Sequence, residues 1–81
     1  MGMLRVLSRR GDDVAVWDAQ QVELGDPEAL AAVHEAERIF AEQRGRGATA
    51  IKVTPGERPV RIDGFDPSAQ QIVMIPRVVG G

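Results

Sequence analysis

The sequence predicts an α+β fold in which a mixed β-sheet packs on one helix, and three patterns support this prediction. Residues 3–8 and 14–17 alternate apolar and polar side chains around a polar turn at Gly11, as in a β-hairpin. Residues 26–44 form the one long segment of good helix formers. Residues 72–75, Ile-Val-Met-Ile, are a continuous apolar run, which is typical of a central strand that is buried on both faces.

The helix is predicted from its ends and from its apolar stripe. Asp26 is a favourable N-cap, and Pro27 suits the first helical position because its missing N–H would have no partner there. Gly45 and Gly47 follow the last periodic residue and are expected to end the helix. The stripe expected to face the sheet consists of Ala29, Leu30, Ala32, Val33, Ala36, Ile39 and Phe40.

The remaining segments are predicted from turn residues and short apolar patterns. Residues 18–25 are predicted as a connector with a short edge segment, and residues 48–54 and 59–62 as two strands. Residues 66–69 are predicted as a single helical turn. Pro55 and Gly56 suit the centre of a type II turn between the two strands. Phe65 is expected to fill the base of the core, whereas Trp17 either packs in the core or contacts a partner.

The order of these elements, ββαββ-turn-β, predicts the β-grasp arrangement. One helix is enough to cover one face of a sheet of this size. The first and last strands are the most hydrophobic, so we expect them to lie side by side at the centre. A domain is therefore predicted over residues 1–76, followed by a flexible C-terminal tail over residues 77–81.

Composition excludes several classes of function. The chain has 81 residues, a formal net charge of -2, no cysteine and one histidine. A disulfide scaffold, a thiol nucleophile and a metal cluster are therefore not expected, and nucleic acid and membranes are unlikely partners because there is no strongly basic surface charge. No nucleophile–base pair stands out, so we expect neither catalytic activity nor a bound cofactor. The cytoplasm is the expected compartment.

The last ten residues, IVMIPRVVGG, are the most informative part of the sequence for function. Pro76 cannot donate to a sheet ladder, so it is expected to end the last strand. Residues 77–81 would then reach roughly 16 Å when extended. Gly80 and Gly81 have no β-carbons, so a backbone of this kind fits a narrow slot and can present its carboxylate to the α-phosphate of ATP.

On this tail and on the strand order, the chain resembles the ubiquitin-like β-grasp proteins and the prokaryotic sulfur carriers. The resemblance implies an E1-like adenylating enzyme as the partner, with ATP used by that enzyme and not bound by this chain. Gly81 would carry the activated acyl group, and Gly80 would provide clearance. A ubiquitin-like modifier would also imply target proteins, an E2-like enzyme and a deconjugating protease.

Two alternatives stay open at this point. The tail is most similar to that of the molybdopterin-type sulfur carriers, in which the carboxylate becomes a thiocarboxylate. Residues 68–71, Ser-Ala-Gln-Gln, stand where such carriers commonly have an Asp-Gly-Asp turn. The second alternative is a β-grasp interaction module that is never activated.

The last strand also predicts a docking surface for the activating enzyme. One of its faces must pack on the helix, so either Ile72 and Met74 or Val73 and Ile75 lie on the uncovered side of the sheet. An exposed apolar patch on a small protein usually marks a binding surface. The residues expected to bind the partner are Val73, Met74, Ile75, Pro76, Arg77, Val78 and Val79.

Overall fold

The structure is a computed structural model and describes residues 1–8 and 11–77. The elements within these residues are β1 (Gly2–Val6), β2 (Asp13–Trp17), α1 (Ala19–Glu23), α2 (Pro27–Gly45), β3 (Thr49–Val53), β4 (Val60–Ile62) and β5 (Gln71–Ile75). The strands form one sheet in the order β2-β1-β5-β3-β4. The central pair, β1 and β5, is parallel and the other pairs are antiparallel. This confirms the predicted mixed sheet with the first and last strands adjacent at its centre.

Helix α2 packs on one face of the sheet and begins as the sequence predicts. The Asp26 carboxylate accepts a hydrogen bond from the Ala29 N–H at 3.0 Å, and Pro27 is the first helical residue. The residues of α2 that are buried are Ala29, Val33, Ala36 and Phe40. Leu30 is 37% exposed, so its assignment to the buried stripe was wrong. It lies about 100° around the helix from Ala29, beyond the width of the surface that the sheet covers.

The segment before α2 corrects the prediction of a connector with an edge strand. It forms the short helix α1, whose N-cap is Asp18. The Asp18 carboxylate accepts hydrogen bonds from the N–H groups of Gln20 and Gln21 at 3.0 and 3.3 Å. Val22 packs against the core, while Leu24 is 77% exposed. The capped helical turn therefore forms in this segment, although the alternation of Val22 and Leu24 is also compatible with a strand.

The two predicted turns are present. Gly56 has a φ of +79°, and the Glu57 N–H donates to the Thr54 carbonyl at 3.0 Å, as a type II turn at residues 54–57 requires. The Ala69 N–H donates to the Asp66 carbonyl at 3.1 Å, which closes a single turn before β5.

The core lies between α2 and the face of the sheet that carries Leu4, Val6, Ile72 and Met74. At one end, Phe65 packs against both Trp17 and Phe40, with ring centroids 5.4 and 5.8 Å apart. Phe65 thus fills the base of the core, as predicted. Trp17 is 2% exposed, which confirms the prediction that it packs in the core. Its side chain is too buried for the alternative role, direct contact with a partner.

The indole ring of Trp17 is held from two directions. Its Nε1–H donates to the Pro67 carbonyl at 2.9 Å, which ties β2 to the turn before β5. The ring also lies directly over Gly2 of β1, where a β-carbon would overlap it. Gly2 is therefore required by packing, because no larger residue leaves room for the indole.

We expect Gly2→Ala to lower the free energy of unfolding by about 3 kcal/mol, the upper end of the range for overpacked cores, because the hydrogen-bonded indole has little room to move. Urea denaturation followed by circular dichroism measures this. The control is Gly45→Ala in α2, where an added β-carbon meets no atom within 4 Å and should be neutral or stabilising. Equal stability of Gly2→Ala and the wild type would contradict this account of the core.

Candidate functional site

The candidate site begins where the central strand ends. Strand β5 stops at Ile75, and Pro76 and Arg77 follow it as exposed residues without regular secondary structure. The predicted role of Pro76 as the end of the strand is consistent with this position. Val78, Val79, Gly80 and Gly81, which carry the rest of the predicted site, lie outside the described residues.

The start of the tail is positioned by the end of helix α2. Gly47, which follows α2 with a φ of +91°, lies against the aliphatic part of the Arg77 side chain. A β-carbon on Gly47 would approach Arg77 Cδ to 3.1 Å, so glycine is favoured here by both conformation and space. Arg44 holds the same loop, because its guanidinium donates to the Ala48 carbonyl at 2.8 Å.

A groove of about 390 Å³ opens at this end of the sheet, beside the start of the tail. Its lining combines residues at and after the end of β1 with residues around the end of α2 and at the start of the tail: Val6, Leu7, Ser8, Asp13, Gln43, Arg46, Ala48, Pro76 and Arg77. The groove therefore joins the last turn of α2 to the point from which the tail leaves the domain.

The side of the sheet that faces away from α2 is a largely apolar surface, which we call the open face. The register between strands places on it Met3, Arg5, Val14, Val16, Thr49, Ile51, Val53, Arg61, Gln71, Val73 and Ile75. Val14, Val16 and Ile75 are between 42% and 49% exposed. The sequence had left open which residues of the last strand would face outward, and the structure places Val73 and Ile75 there.

Met74 does not belong to this surface, and its prediction as a partner-binding residue is corrected. It is fully buried at 0% exposure and pairs in register with Val6 of β1 and Ala50 of β3. Side chains of a strand alternate between its two faces, so the residue between Val73 and Ile75 must point into the core.

Two arginines flank the centre of the open face. Arg5 of β1 and Arg61 of β4 lie in one row across the sheet, with Val73 and Ile51 between them. Three strand spacings separate the two arginines, which is about 14 Å. Arg5 Nε lies 3.7 Å from the Asp12 carboxylate, so part of its charge is balanced within the chain. The sequence did not single out these arginines, because only the strand register brings them into line.

The single lysine, Lys52, is engaged in an ion pair. Its Nζ donates to the Asp66 carboxylate at 2.8 Å, and the other carboxylate oxygen accepts from the Ser68 hydroxyl and N–H at 2.6 and 2.9 Å. These bonds, from Lys52 first and then from Ser68, lower the pKa of Asp66 to about 2. The hydrogen bond to Asp66 raises the pKa of Lys52, so its amine is charged and hydrogen-bonded at neutral pH.

Metal chemistry has no candidate centre in the described part of the chain. No group of three or more histidine and acidic side chains is arranged there to hold an ion. In residues 1–8 and 11–77, no helix is both long and apolar enough to cross a lipid bilayer.

Comparison with known proteins identifies no relative. A scan of protein-family models, a search of curated proteins and a search of solved structures each gave no match. What the fold establishes is the class: a small α+β domain with a mixed five-stranded sheet packed on a helix, compatible with a β-grasp.

The lowered pKa of Asp66 predicts how the free energy of unfolding depends on pH. The carboxylate has a pKa of about 2 in the folded chain against an ordinary value of 3.8, so its bonds stabilise the fold fully above pH 3.8. Their contribution is lost as the pH falls from about 4 to 2. We expect Asp66→Asn to be less stable than the wild type at pH 7 and to lose part of this acid dependence.

Urea midpoints measured at several pH values between 2 and 7 test this. The control is Asp63→Asn. The Asp63 side chain is 89% exposed and its 3.4 Å contact with Arg44 is a surface ion pair of small energy, so its substitution should change the acid dependence far less. Parallel pH curves for the wild type and Asp66→Asn would refute the assignment.

Proposed function

We propose that this chain is a ubiquitin-like β-grasp protein whose Gly81 carboxylate is activated by an E1-like enzyme and joined to an amine of a target protein. The observation that carries the proposal is the placement of a Gly-Gly motif close behind the central strand of the sheet. Strand β5 ends at Ile75, and Gly80 and Gly81 are the fifth and sixth residues after it. The proposal requires Gly81 to be the last residue of the mature chain.

The chemistry takes place at the carboxylate of Gly81. One carboxylate oxygen attacks the α-phosphorus of ATP and displaces pyrophosphate, which leaves an acyl-adenylate. The amine nitrogen of the target then attacks the acyl carbon and displaces AMP, with loss of a proton, to give an isopeptide bond. This chain is the substrate in both steps, and ATP is bound by the activating enzyme. An E2-like enzyme and a deconjugating protease would be further partners.

The open face supports the proposal as a surface for the activating enzyme. Val73 and Ile75 belong to the strand that leads into Pro76 and Arg77, so an enzyme seated on them would lie beside the start of the tail. An apolar face of this kind is uncommon on a small protein that has no partner. Arg77 adds a positive charge at its margin, and Val78 and Val79 would complete the contact.

The state of Lys52 favours single attachment over polymer formation. A chain of copies linked through lysine would require Lys52 Nζ as the nucleophile, because the sequence contains no other lysine. That amine donates to Asp66 and has a raised pKa, and both features oppose its attack on an acyl-adenylate.

Sulfur transfer is the second candidate, favoured by the similarity of the IVMIPRVVGG segment to molybdopterin-type carriers. In that case a sulfide donor attacks the same acyl-adenylate and displaces AMP, which leaves a thiocarboxylate on Gly81. The third candidate, an interaction module that is not activated, predicts that removal of Gly80 and Gly81 changes no activity of the protein.

Intact mass spectrometry separates these functions. The mature protein is first weighed to establish that it ends at Gly81. It is then incubated with ATP, an E1-like enzyme from the same genome and a protein extract of the same cells that supplies target amines. A modifier gains an adenylate and then forms adducts through Gly81, whereas a carrier supplied with sulfide exchanges one oxygen for sulfur. Deletion of Gly81 should abolish both. If the wild-type mass never changes with ATP, activation is refuted.

We expect Ile75→Asp to lower the rate of adenylation by about tenfold, because a charge inside the contact must be desolvated. Its free energy of unfolding should stay within about 1 kcal/mol of the wild type, since Ile75 is already 42% exposed. Arg77→Glu should act in the same direction.

The matched control is Val60→Asp. Val60 is 55% exposed but pairs with Lys52 and therefore lies on the other side of the sheet. Pyrophosphate exchange measures the rate, and an equal effect of Val60→Asp and Ile75→Asp would exclude the open face as the docking surface.

A further inference from the structure

Backbone groups at the outer edge of β2 point away from the sheet. The N–H groups of Met3 and Leu7 donate to carbonyls of the β5 segment, at Gln70 and Met74, with distances of 3.0 and 3.1 Å. The odd-numbered residues of β1 therefore bond toward β5, and its even-numbered residues bond toward β2. The pairs joined in that way are Gly2 with Trp17, Leu4 with Ala15 and Val6 with Asp13. The backbone groups of Val14 and Val16 then point away from the sheet.

Apart from the charge of Asp13 at its first position, this edge lacks the features that usually protect an edge strand. Val14 and Val16 are 49% and 43% exposed, and in residues 1–8 and 11–77 their outward N–H groups have no backbone partner. Natural proteins block such edges with proline, lysine, bulges or very short strands. β2 has five residues in unbroken register with β1 and contains none of these. The opposite edge, β4, has only three residues and follows directly on Pro59.

A groove runs beside this edge, between β2 and α2. Its volume is about 360 Å³, and its lining residues are Val6, Asp13, Val14, Arg38, Ile39, Glu42 and Gln43. Side chains of a strand added to β2 would alternate between two sides. Those opposite Asp13 and Ala15 would lie on the side of α2, where the one opposite Asp13 meets this groove. Those opposite Val14 and Val16 would join the open face.

One acidic side chain in this groove is available to a partner. Asp13 lies in the groove, and its carboxylate has no ion pair within the described residues. Asp12, which precedes it, is paired with Arg5, and Asp18, which follows the strand, caps α1. The nearby Arg38 guanidinium is engaged by Glu42 at 3.1 Å and by Glu35. A basic residue opposite Asp13 would therefore find an unpaired carboxylate.

We propose that the outer edge of β2 binds an extended segment of a partner protein, with β-branched residues opposite Val14 and Val16 and a lysine or arginine opposite Asp13. Four backbone hydrogen bonds from Val14 and Val16 would hold the segment, and the groove beside α2 would select its alternate side chains. This inference does not depend on activation of Gly81.

A second copy of the chain fits the edge less well. Two β2 strands paired antiparallel about Ala15 would bring Asp12 of each copy opposite Asp18 of the other, which places like charges together. A contact limited to five-residue strands also buries much less than the roughly 800 Å² per partner that stable interfaces need. A short peptide segment avoids the like-charge contact, and its small contact area is expected to give weak, reversible binding.

The probe is the peptide acetyl-Thr-Val-Thr-Val-Lys-amide, added to the isotope-labelled full chain and followed by NMR. Paired antiparallel, its lysine lies opposite Asp13 and its valines lie opposite Val14 and Val16. The amide proton resonances of Val14 and Val16 should shift downfield, and these protons should exchange more slowly with solvent. A peptide with glutamate in place of lysine should bind about fivefold more weakly, as expected for a partly exposed charge pair.

Two variants test the edge itself. Val14→Pro removes an outward N–H that β1 does not use, so the fold should persist while peptide binding is lost. The control is Arg61→Pro on β4, whose N–H also points outward by the same register argument, and it should bind the peptide as the wild type does. Asp13→Lys should reverse the preference, so that the glutamate peptide binds more tightly than the lysine peptide.

Three results would overturn the proposal. The first is peptide binding that leaves the Val14 and Val16 amides unchanged, and the second is the absence of any binding at saturating peptide. The third is a concentration-dependent shift of these amides without peptide that Val14→Pro removes, because the occupant would then be a second copy of the chain.

Discussion

The parallel pairing of β1 with β5 is the contact on which the rest of the structure depends. It joins residues nearly 70 positions apart and places Leu4 beside Ile72 and Val6 beside Met74. Because side chains alternate along a strand, this register decides which half of β5 enters the core. A slip of one residue would move Met74 out to solvent and Val73 into the core. The same pairing brings the end of β5, and with it Pro76 and Arg77, to the end of α2.

The open face follows from the size of the chain. A domain of 81 residues has one long helix, and one helix covers one side of a five-stranded sheet. The other side is apolar because β5 places Val73 and Ile75 there and β3 places Ile51 and Val53 there. Solvation of that side is maintained by Arg5, Arg61, Gln71 and Thr49, which are spread among the valines and isoleucines. The surface is therefore suited to a partner without being uniformly hydrophobic.

The sequence predicted those elements whose signals are local. Helix α2 was found from Asp26 and Pro27 at its start and Gly47 after its end, and the turn at Pro55 and Gly56 was found in the same way. Helix α1 was missed because a five-residue helix has too few residues to show a periodicity. The signal that could have found it is Asp18, a good N-cap that is followed by four helix-compatible residues.

Other features were not predictable from local patterns because they depend on distant parts of the chain. The run at residues 72–75 is apolar at every position, so it has no alternation that reveals which residues face inward. The need for glycine at position 2 comes from the indole of Trp17, fifteen residues away, and from its bond to the Pro67 carbonyl. The row from Arg5 to Arg61 exists only because four strands are in register.

The two proposed surfaces meet at Val14 and Val16 without competing for the same atoms. The side chains of these valines belong to the open face, whereas their outward backbone groups belong to the edge of β2. A segment added to β2 would therefore lengthen the open face by one strand and leave Val73 and Ile75 uncovered, because β1 lies between β2 and β5. The bound segment would also set its own valines beside Val14 and Val16, so a second partner on the open face would find a larger apolar surface. The two proposed sites would therefore allow one partner at the edge of the sheet and another on its open face at the same time.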